Sequence, residues 1–521
     1  MLRHGLNHYV VKLVNDDPRC IITLSEGPMH IARSILLLLL VLLFAPPVSA
    51  QTPTFSRLDT VLSLPLTNGV TVGDFDGDGF PDLVLNTHSL TEPIGLHFLR
   101  GLGDGTFAMP VQVLSGCCAS VAAGDFNGDS RLDLVLQTGE AEGVLLGNGD
   151  GTFGNIVLTP ARVFSPRPPL VVDLNGDGKM DLAAASQFGG VSVLLGNGDG
   201  TFGTAADFPI GGGYVANALT AGDFDGNGIP DIAASNPGPP DAFEGTNVSI
   251  LLGVGDGTFG PPLDFTVGRY PFPIVTADFN RDSALDIAVA NYGAASVSVL
   301  LGEGNGSFEP KLDAADGAFP VGLGAADFNG DGNPDVVIGG QPASLAMLLG
   351  KGDGTLGPVN SVPALTSTQS LAVGDFNLDG KPDVVSVYLP VASAFSVFLN
   401  TTPSDITVPT VTASADPSIL EPPSGRMAPV TLTGTITDAG SGVDLTSAMF
   451  VVEDEYGAVQ PSGSIEVNAD GSYRVQILLE ASRKGTDFDG RTYRVTVSVS
   501  DQAGNRGSAD VVVRVPHHRG G

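Results

Sequence analysis

Asp74-Phe-Asp-Gly-Asp-Gly-Phe-Pro-Asp82 recurs, with variation, seven times along this chain of 521 residues. The copies begin at Asp74, Asp125, Asp173, Asp223, Asp278, Asp327 and Asp375, with successive starts 48 to 55 residues apart. Every copy keeps Asp at positions 1 and 9 and Asp or Asn at positions 3 and 5. A near-constant period of this length marks a repeat architecture in which each unit is one supersecondary module.

Oxygen donors at alternate positions of a tight loop are what Ca²⁺ requires, since it takes about six to eight oxygens at roughly 2.3–2.6 Å. The EF-hand loop uses side chains at positions 1, 3 and 5, a Gly at 6 and a backbone carbonyl at 7. The present loop has that plan but closes on an acidic residue sooner, which suits strands on both sides. The expected ligand sets are Asp74, Asp76, Asp78, Phe80, Asp82; Asp125, Asn127, Asp129, Arg131, Asp133; Asp173, Asn175, Asp177, Lys179, Asp181; Asp223, Asp225, Asn227, Ile229, Asp231; Asp278, Asn280, Asp282, Ala284, Asp286; Asp327, Asn329, Asp331, Asn333, Asp335; and Asp375, Asn377, Asp379, Lys381, Asp383. The seventh-position residue of each set contributes its backbone carbonyl. Up to seven Ca²⁺ are thus expected. Asp-Gly and Asn-Gly are also turn-formers, but a turn by itself does not call for the ninth carboxylate. Loop one carries four carboxylates and the others three each. Ser130 and Ser283 stand at position 6 of loops two and five, where positive φ suits Gly better. Those two loops are expected to bind most weakly.

The formal charge of −33 argues against nucleic acid as a partner. Twenty-two of the 57 acidic residues sit at the loop positions, so bound cations would offset part of that charge. Of three Cys, Cys117 and Cys118 are adjacent and exclude a disulfide framework; free thiols are expected. Residues 29–50 read as a secretory signal: a basic start at Met29–Arg33, an apolar core at Ile35–Ala45 and cleavage after Ala50. That core is too short to span a bilayer, so no membrane span is expected in the mature chain. Residues 1–28 fit no part of the design and read as an extension upstream of the natural start.

Between the acidic loops runs a second signature, seen in "LLGNGDGTFG" at 145–154 and 194–203 and "LLGVGDGTFG" at 251–260. An apolar run ending in Gly-Asp-Gly is a hairpin turn between two strands; a further cation site there is the weaker alternative. Each repeat therefore reads as four strands, and seven such repeats over residues 51–400 as a seven-bladed β-propeller. The last repeat stops at its third strand, "FSVFLN" (395–400), whereas "FSRLDTVLSL" from Phe55 is a spare fourth strand at the other end. Pairing the two would close the ring. Phe or Leu at loop position 2 is assigned to packing between blades.

These two signatures resemble the FG-GAP/VCBS repeats, best known from integrin α-subunit propellers, and most closely their bacterial secreted branch. The resemblance spans about 350 residues and implies calcium in the acidic loops and an extracellular adhesive or ligand-binding role, as a monomer. The chain has no Gly-Ala-Pro as such and no Arg-Gly-Asp. Residues 401–410 form a linker, and 411–516 read as a β-sandwich similar to bacterial immunoglobulin-like domains ("VTVSVSDQAGN"), followed by a tail at 517–521. Asp438, Asp444, Asp501 and Asn505 are either turn residues or an interdomain cation site.

Catalysis has little support, and no enzyme is expected: there is no nucleophile elbow, zinc spacing or phosphate loop. The propeller resemblance leaves calcium-dependent polysaccharide lyases as an alternative, and a cell-surface scaffold as another. For a binder, the face opposite the acidic loops collects Tyr214, Arg269, Tyr270, Tyr292 and Tyr388, joined by Phe188, Phe243, Phe272 and Phe319 and by Arg167. Aromatic and Arg enrichment is what binding surfaces share, and a glycan or protein is the expected ligand.

Overall fold

The computed structural model describes residues 52–516 except 63–65, 89–94, 117–119, 138–140, 161–167, 187–188, 214–215, 239–243, 316–318, 342–343, 389–393, 404, 406, 422–424, 439–441, 458–459, 469, 483, 485–489 and 502. The expected signal, Cys117, Cys118, Arg167, Phe188, Tyr214, Phe243 and the tail lie outside the described residues. Among the described residues no helix is long and apolar enough to cross a membrane.

Strand β1 (Phe55–Val61) precedes the repeats. Blade one is β2 (Leu66–Gly73), β3 (Asp82–His88), β4 (Gly95–Leu99) and β5 (Val111–Ser115). Blade two is β6 (Val121–Gly124), β7 (Asp133–Gln137), β8 (Ala141–Gly147) and β9 (Phe153–Pro160). Blade three is β10 (Leu170–Val172), β11 (Asp181–Ala185), β12 (Val191–Leu194) and β13 (Ala206–Phe208). Blade four is β14 (Leu219–Gly222), β15 (Asp231–Asn236), β16 (Asn247–Leu251) and β17 (Leu263–Thr266). Blade five is β18 (Pro271–Ala277), β19 (Asp286–Asn291), β20 (Ser296–Leu300) and β21 (Leu312–Ala315). Blade six is β22 (Phe319–Ala326), β23 (Asp335–Gln341), β24 (Ser344–Gly350) and β25 (Leu356–Pro363). Blade seven is β26 (Thr368–Gly374), β27 (Asp383–Tyr388) and β28 (Ala394–Asn400), completed by β1.

All seven sheets are four-stranded and antiparallel, six of them meanders and the seventh ordered β1-β28-β27-β26. Their first strands touch in a closed cycle: β2, β6, β10, β14, β18, β22, β26 and again β2. That cycle closes these four-stranded sheets on one another in the manner of a β-propeller. The second and third strands are buried along almost their whole length, as in Asp133–Gln137 and Asp286–Asn291. A strand packed on both faces has no need of polar alternation, which is why "DLVLQ" and "DIAVA" read as continuous apolar runs.

The seams are shared cores. Phe75, Val84 and Leu96 of blade one pack with Val121, Leu134 and Leu145 of blade two. At four seams the Phe after a Gly-Asp-Gly or Gly-Asn-Gly turn meets the position-2 Phe of the preceding blade, edge to face in three of them and tilted at Phe153. The pairs are Phe153 on Phe75, Phe202 on Phe126, Phe308 on Phe224 and Phe107 on Phe376, with centroids 5.6 to 6.0 Å apart. Such geometry suits the ring quadrupoles.

Ring closure follows the same rules. β1 pairs with β28 from Phe55↔Asn400 to Val61↔Ala394. Phe55 meets Phe328 of blade six at 6.1 Å, taking the place of the missing post-turn Phe. A second mark identifies β1 as a fourth strand. In blades three, four and five a buried third-strand Ser donates to its cross-strand Asp: Ser192 to Asp207, Ser249 to Asp264 at 2.6 Å and Ser298 to Asp313 at 2.6 Å. In blade seven Ser396 donates to Asp59 of β1 at 2.5 Å.

The C-terminal strands are β29 (Thr410–Val411), β30 (Ser414–Asp416), β31 (Met427–Thr437), β32 (Met449–Asp454), β33 (Ser462–Ser464), β34 (Ser472–Glu480), β35 (Arg491–Ser500) and β36 (Arg506–Val515). They form two sheets, one with β31 paired to β29, β30 and β34, the other ordered β33-β32-β35-β36. Their inner faces share one core that includes Val430, Leu432, Val452, Ile477, Val495 and Val513, which makes a β-sandwich. The core also holds an ion pair. Arg491, 1% exposed, reaches Asp454 through Nε at 3.0 Å and Nη2 at 2.5 Å, and Glu480 through Nη1 at 3.0 Å.

Candidate metal centres

Each acidic loop spans the gap between a first strand, which ends one residue before position 1, and a second strand, which begins at position 9. The position-1 carboxylate gathers the loop around itself. In loop one Asp74 accepts from the N–H groups of Gly77 (2.8 Å), Asp78 (3.1 Å) and Gly79 (3.0 Å). Asp125, Asp173 and Asp327 each accept from the same three places. A carboxylate has about four lone-pair sites, so in loop one Asp74 keeps one for a cation.

Positions 3 and 5 form a second tier. Their side-chain oxygens accept from the N–H two residues on, as Asn127 does from Asp129 (2.9 Å) and Asp129 from Arg131 (3.0 Å). Residues at position 7 therefore present N–H inward to position 5. Phe80, Lys179, Ile229, Ala284, Asn333 and Lys381 do the same as Arg131. The Ser at position 6 does not disrupt its loop. Ser130 (φ 64) and Ser283 (φ 71) adopt the left-handed conformation and still donate to Asp125 and Asp278, at 2.7 and 2.9 Å. Sequence reasoning missed position 4, where Arg281 (φ 63) and Leu378 (φ 54) are equally left-handed.

Position 9 corrects an expectation. Its carboxylate is not free of structural work, because both oxygens bind backbone N–H groups in every loop. Oδ2 of Asp82, Asp133, Asp181, Asp231, Asp286, Asp335 and Asp383 accepts from position 2, at 2.7 to 3.0 Å. Oδ1 accepts at 2.7 to 2.9 Å from Gly101, Gly147, Gly196, Gly253, Gly302 and Gly350 at the end of the third strand, and from Asn400 in blade seven. Those glycines are required by close approach: a Cβ on Gly147 would lie 2.2 Å from the Leu132 carbonyl oxygen. All seven carboxyls are 0% exposed. Burial pushes Asp82, Asp231, Asp286 and Asp383 up to about 6 and Asp335 to about 8, with neighbouring loop carboxylates adding and the N–H bonds opposing. Asp133 and Asp181 are raised for the same reasons.

The Gly-Asp-Gly turns are turns. Asp104, Asp150, Asp199, Asp256 and Asp353 each cap their own loop by accepting from the Thr two residues on. Those Thr hydrogen bonds hold the five carboxyls below their ordinary value. The second Gly then latches the neighbouring blade: Gly151 donates to the Phe75 carbonyl at 3.2 Å, Gly200 to Phe126 at 3.0 Å and Gly306 to Phe224 at 2.9 Å. Blade seven has no such turn, and the Asn400 side chain donates to the Phe328 carbonyl at 2.8 Å instead.

Two of the loops bring three carboxylates close enough for one divalent cation. In loop one, ligand oxygens of Asp74, Asp76 and Asp78 lie within 4.8 Å of one another, and in loop four those of Asp223, Asp225 and Asp231 do. Oxygens around one Ca²⁺ are at most about 5 Å apart, twice the bond length. The upward shift of Asp76 and of the position-9 groups is what a nearby cation would reverse. A third acidic group combines Asp405 of the linker with Asp438 and Asp501 of the sandwich. Asn505 ties it together, donating to the Asp405 carbonyl (3.0 Å) and Asp501 Oδ2 (2.9 Å). Asp444 lies elsewhere in role, capping a short turn through Thr446. Asp405 had no motif to reveal it.

Of the candidate ligand face, the described residues group around Tyr292, whose ring lies 5.6 Å from Tyr270, 6.4 Å from Phe272 and 5.4 Å from Phe319. Phe319 is 50% exposed, and Tyr270 (φ 52) holds a strained backbone. The Arg269 guanidinium donates to the Gly293 carbonyl at 3.1 Å. Tyr388 is a correction: it is 0% exposed on β27 and belongs to the blade interior, where burial pushes its phenol up. A Tyr at the close of an apolar strand was misread as a loop residue.

Matches to the FG-GAP-like repeat cover residues 74–136, 125–184, 173–234, 278–338 and 327–386, together just over half of the chain. The chain belongs to the FG-GAP-like repeat family. The matched FG-GAP-like units each start at a position-1 Asp and run through the following acidic loop. No curated protein matches the chain. Among solved structures it is similar to an Agrocybe aegerita lectin described as recognising non-reducing terminal N-acetylglucosamine, at 20% identity over 67% of this chain and 86% of that one, TM-score 0.43. It is also similar to BBS1N in complex with ARL6DN (11%, 67% and 97%, TM-score 0.48) and to the V. cholerae biofilm matrix protein Bap1 (12%, 68% and 89%, TM-score 0.38).

Proposed function

We propose that this FG-GAP-like chain is a secreted, calcium-loaded propeller that serves as an extracellular binding or adhesion module. The supporting observation is the recurrence of the same acidic loop seven times at one end of the strands, with three carboxylates brought within 4.8 Å of one another in loops one and four. Ca²⁺ would be held by side chains at positions 1, 3, 5 and 9 and the carbonyl at 7, and would neutralise the loops. The signal-like segment at 29–50 supports secretion, and the C-terminal sandwich is read as immunoglobulin-like. The half-exposed aromatic group around Tyr292, at the opposite strand ends, is the proposed ligand contact, fitting a glycan or protein.

Metal analysis after dialysis should find close to seven Ca²⁺ per chain; fewer than four would refute the loop assignment. A glycan array with the mature chain, with and without calcium, tests the ligand. Binding lost in Tyr292→Ala supports the aromatic contact. Cleavage of a polysaccharide would make the protein a lyase, and no binding would leave a protein ligand or scaffold.

A further inference from the structure

Loop one departs from the other six in two places at once. It alone has carboxylates at both positions 3 and 5, Asp76 and Asp78. Just beyond its third strand stands Arg100, where the other blades carry Leu146, Leu195, Leu252, Leu301, Leu349 and Leu399. The structure joins the two departures. Arg100 Nε lies 3.3 Å from Asp76 Oδ2 and 3.2 Å from Asp78 Oδ2.

In loops two, four, five and six that space is bridged by a carboxamide. Asn127 Nδ2 donates to Asp129 Oδ2 at 3.1 Å, Asn280 to Asp282 at 2.8 Å and Asn329 to Asp331 at 2.9 Å. In loop four the direction reverses, Asn227 donating to Asp225 at 3.0 Å. Loop one has no Asn to do this, and two carboxylates without a donor between them repel. We propose that Arg100 is the built-in counter-cation of loop one: it supplies from the end of β4 the donor and the charge that this loop lacks, and yields them to Ca²⁺ on binding.

The local charge agrees. Four carboxylates and one guanidinium leave loop one with the same net charge as three carboxylates. Other cations near the loops do less. Arg131 reaches only Asp129, at 3.8 Å, and Lys179 only Asp177, at 3.4 Å, both from position 7 and across well-exposed side chains. Such pairs contribute little. Arg100 is itself 51% exposed, but it spans two carboxylates rather than one, and their side chains are only 11% and 25% exposed, so water screens the acidic side less.

The inference rests on the calcium reading and gives effects of opposite sign. Without an ion, removing the guanidinium leaves the loop carboxylates unopposed; with an ion, it removes a competitor. The test uses the full chain and the variants Arg100→Leu, Asp76→Asn and the double variant, Leu being what six blades already hold. In chelator, hydrogen exchange across residues 74–82 should speed up several-fold in Arg100→Leu. In calcium titrations one site should tighten about tenfold, the scale expected on removing a unit charge a few ångströms from the ion. Adding Asp76→Asn should return the exchange rate towards that of the parent. Unchanged exchange in chelator, or weaker calcium binding in Arg100→Leu, overturns the proposal. Should the parent bind no calcium, the calcium reading fails by itself, and the exchange arm still decides whether Arg100 holds the loop.

Discussion

The ninth-position carboxylate clamps two backbone N–H groups, and substitution can separate that clamp from its proposed part in holding a cation. Asp231 accepts from Phe224 N–H at 2.8 Å and from Gly253 N–H at 2.7 Å, and is fully buried. Asp231→Asn keeps the shape but offers a single acceptor oxygen. One buried N–H then faces an amide NH₂, a loss of about 1–3 kcal/mol, and the remaining bond loses its charge assistance, roughly 1 kcal/mol more. The amide escapes the burial that pushes the carboxyl up to about 6, which returns part of the loss. A net destabilisation of about 2 kcal/mol is expected in chelator, with no ion present. Asp225→Asn is the contrast, because its oxygens serve only Asn227 within the same loop; a change below about 0.5 kcal/mol is expected. With calcium, both variants should also lose stabilisation from the fourth site, up to about 2.7 kcal/mol at a hundredfold excess over Kd. Urea denaturation in chelator and in calcium, with amide exchange read at Phe224 and Gly253, measures both parts. If Asp231→Asn matches the parent in chelator, the clamp contributes nothing and the ninth carboxylate exists for the ion alone.

Three further outcomes are expected. The metal-free chain should lose stability as pH rises from about 4 to about 6, because the raised position-9 carboxyls bind protons more tightly folded than unfolded; calcium should flatten that slope, and melting curves across this window check it. Asp59→Ala should destabilise ring closure by about 1–3 kcal/mol, since the buried Ser396 hydroxyl loses its acceptor, and Asp264→Ala should cost a similar amount in blade four if β1 is equivalent to β17. Arg491→Ala should cost about 3–5 kcal/mol by leaving Asp454 buried and unpaired, and Arg491→Lys should not restore it because the two-pronged contact is lost; thermal denaturation of the sandwich transition reads both.

Much of this was legible because the repeat speaks seven times. Loop spacing, strand count and the spare strand at Phe55 were visible in the text, since ligand positions and turn residues are local properties. What escaped depends on contacts between distant residues. The ninth Asp looked like a ligand alone because its partners, such as Gly253, lie in another strand. Arg100 passed as one basic residue in an apolar run. Asp405 meets Asp438 and Asp501 only once the linker folds against the sandwich. Tyr388 was misplaced because a strand end and a loop look alike in sequence, while burial tells them apart. Arg491 gave no sign of its core position, since a charged residue in "DGRTYRV" reads as surface.

The two ends of the blades are built for different work. At the loop end, a position-2 residue gives its N–H to the ninth carboxylate, and its carbonyl receives the turn of the next blade in five of the seams. Its ring seals the same seam. Ion loop, clamp and seam therefore form one connected network, and a cation that tightens one loop acts on two blades. Among the described residues, the opposite end is less regular. The first and second strands slip register there in four blades, between Thr67 and Gly69, Pro271 and Ile274, Pro320 and Gly322, and Thr368 and Ser370. Such bulges re-aim side chains and gather near functional sites. Two of them, in blades five and six, begin beside the Tyr270, Phe272 and Phe319 group. A loop end tied by this hydrogen-bond network thus leaves the other end free to vary its loops without opening the ring, which is where the proposed ligand contact lies.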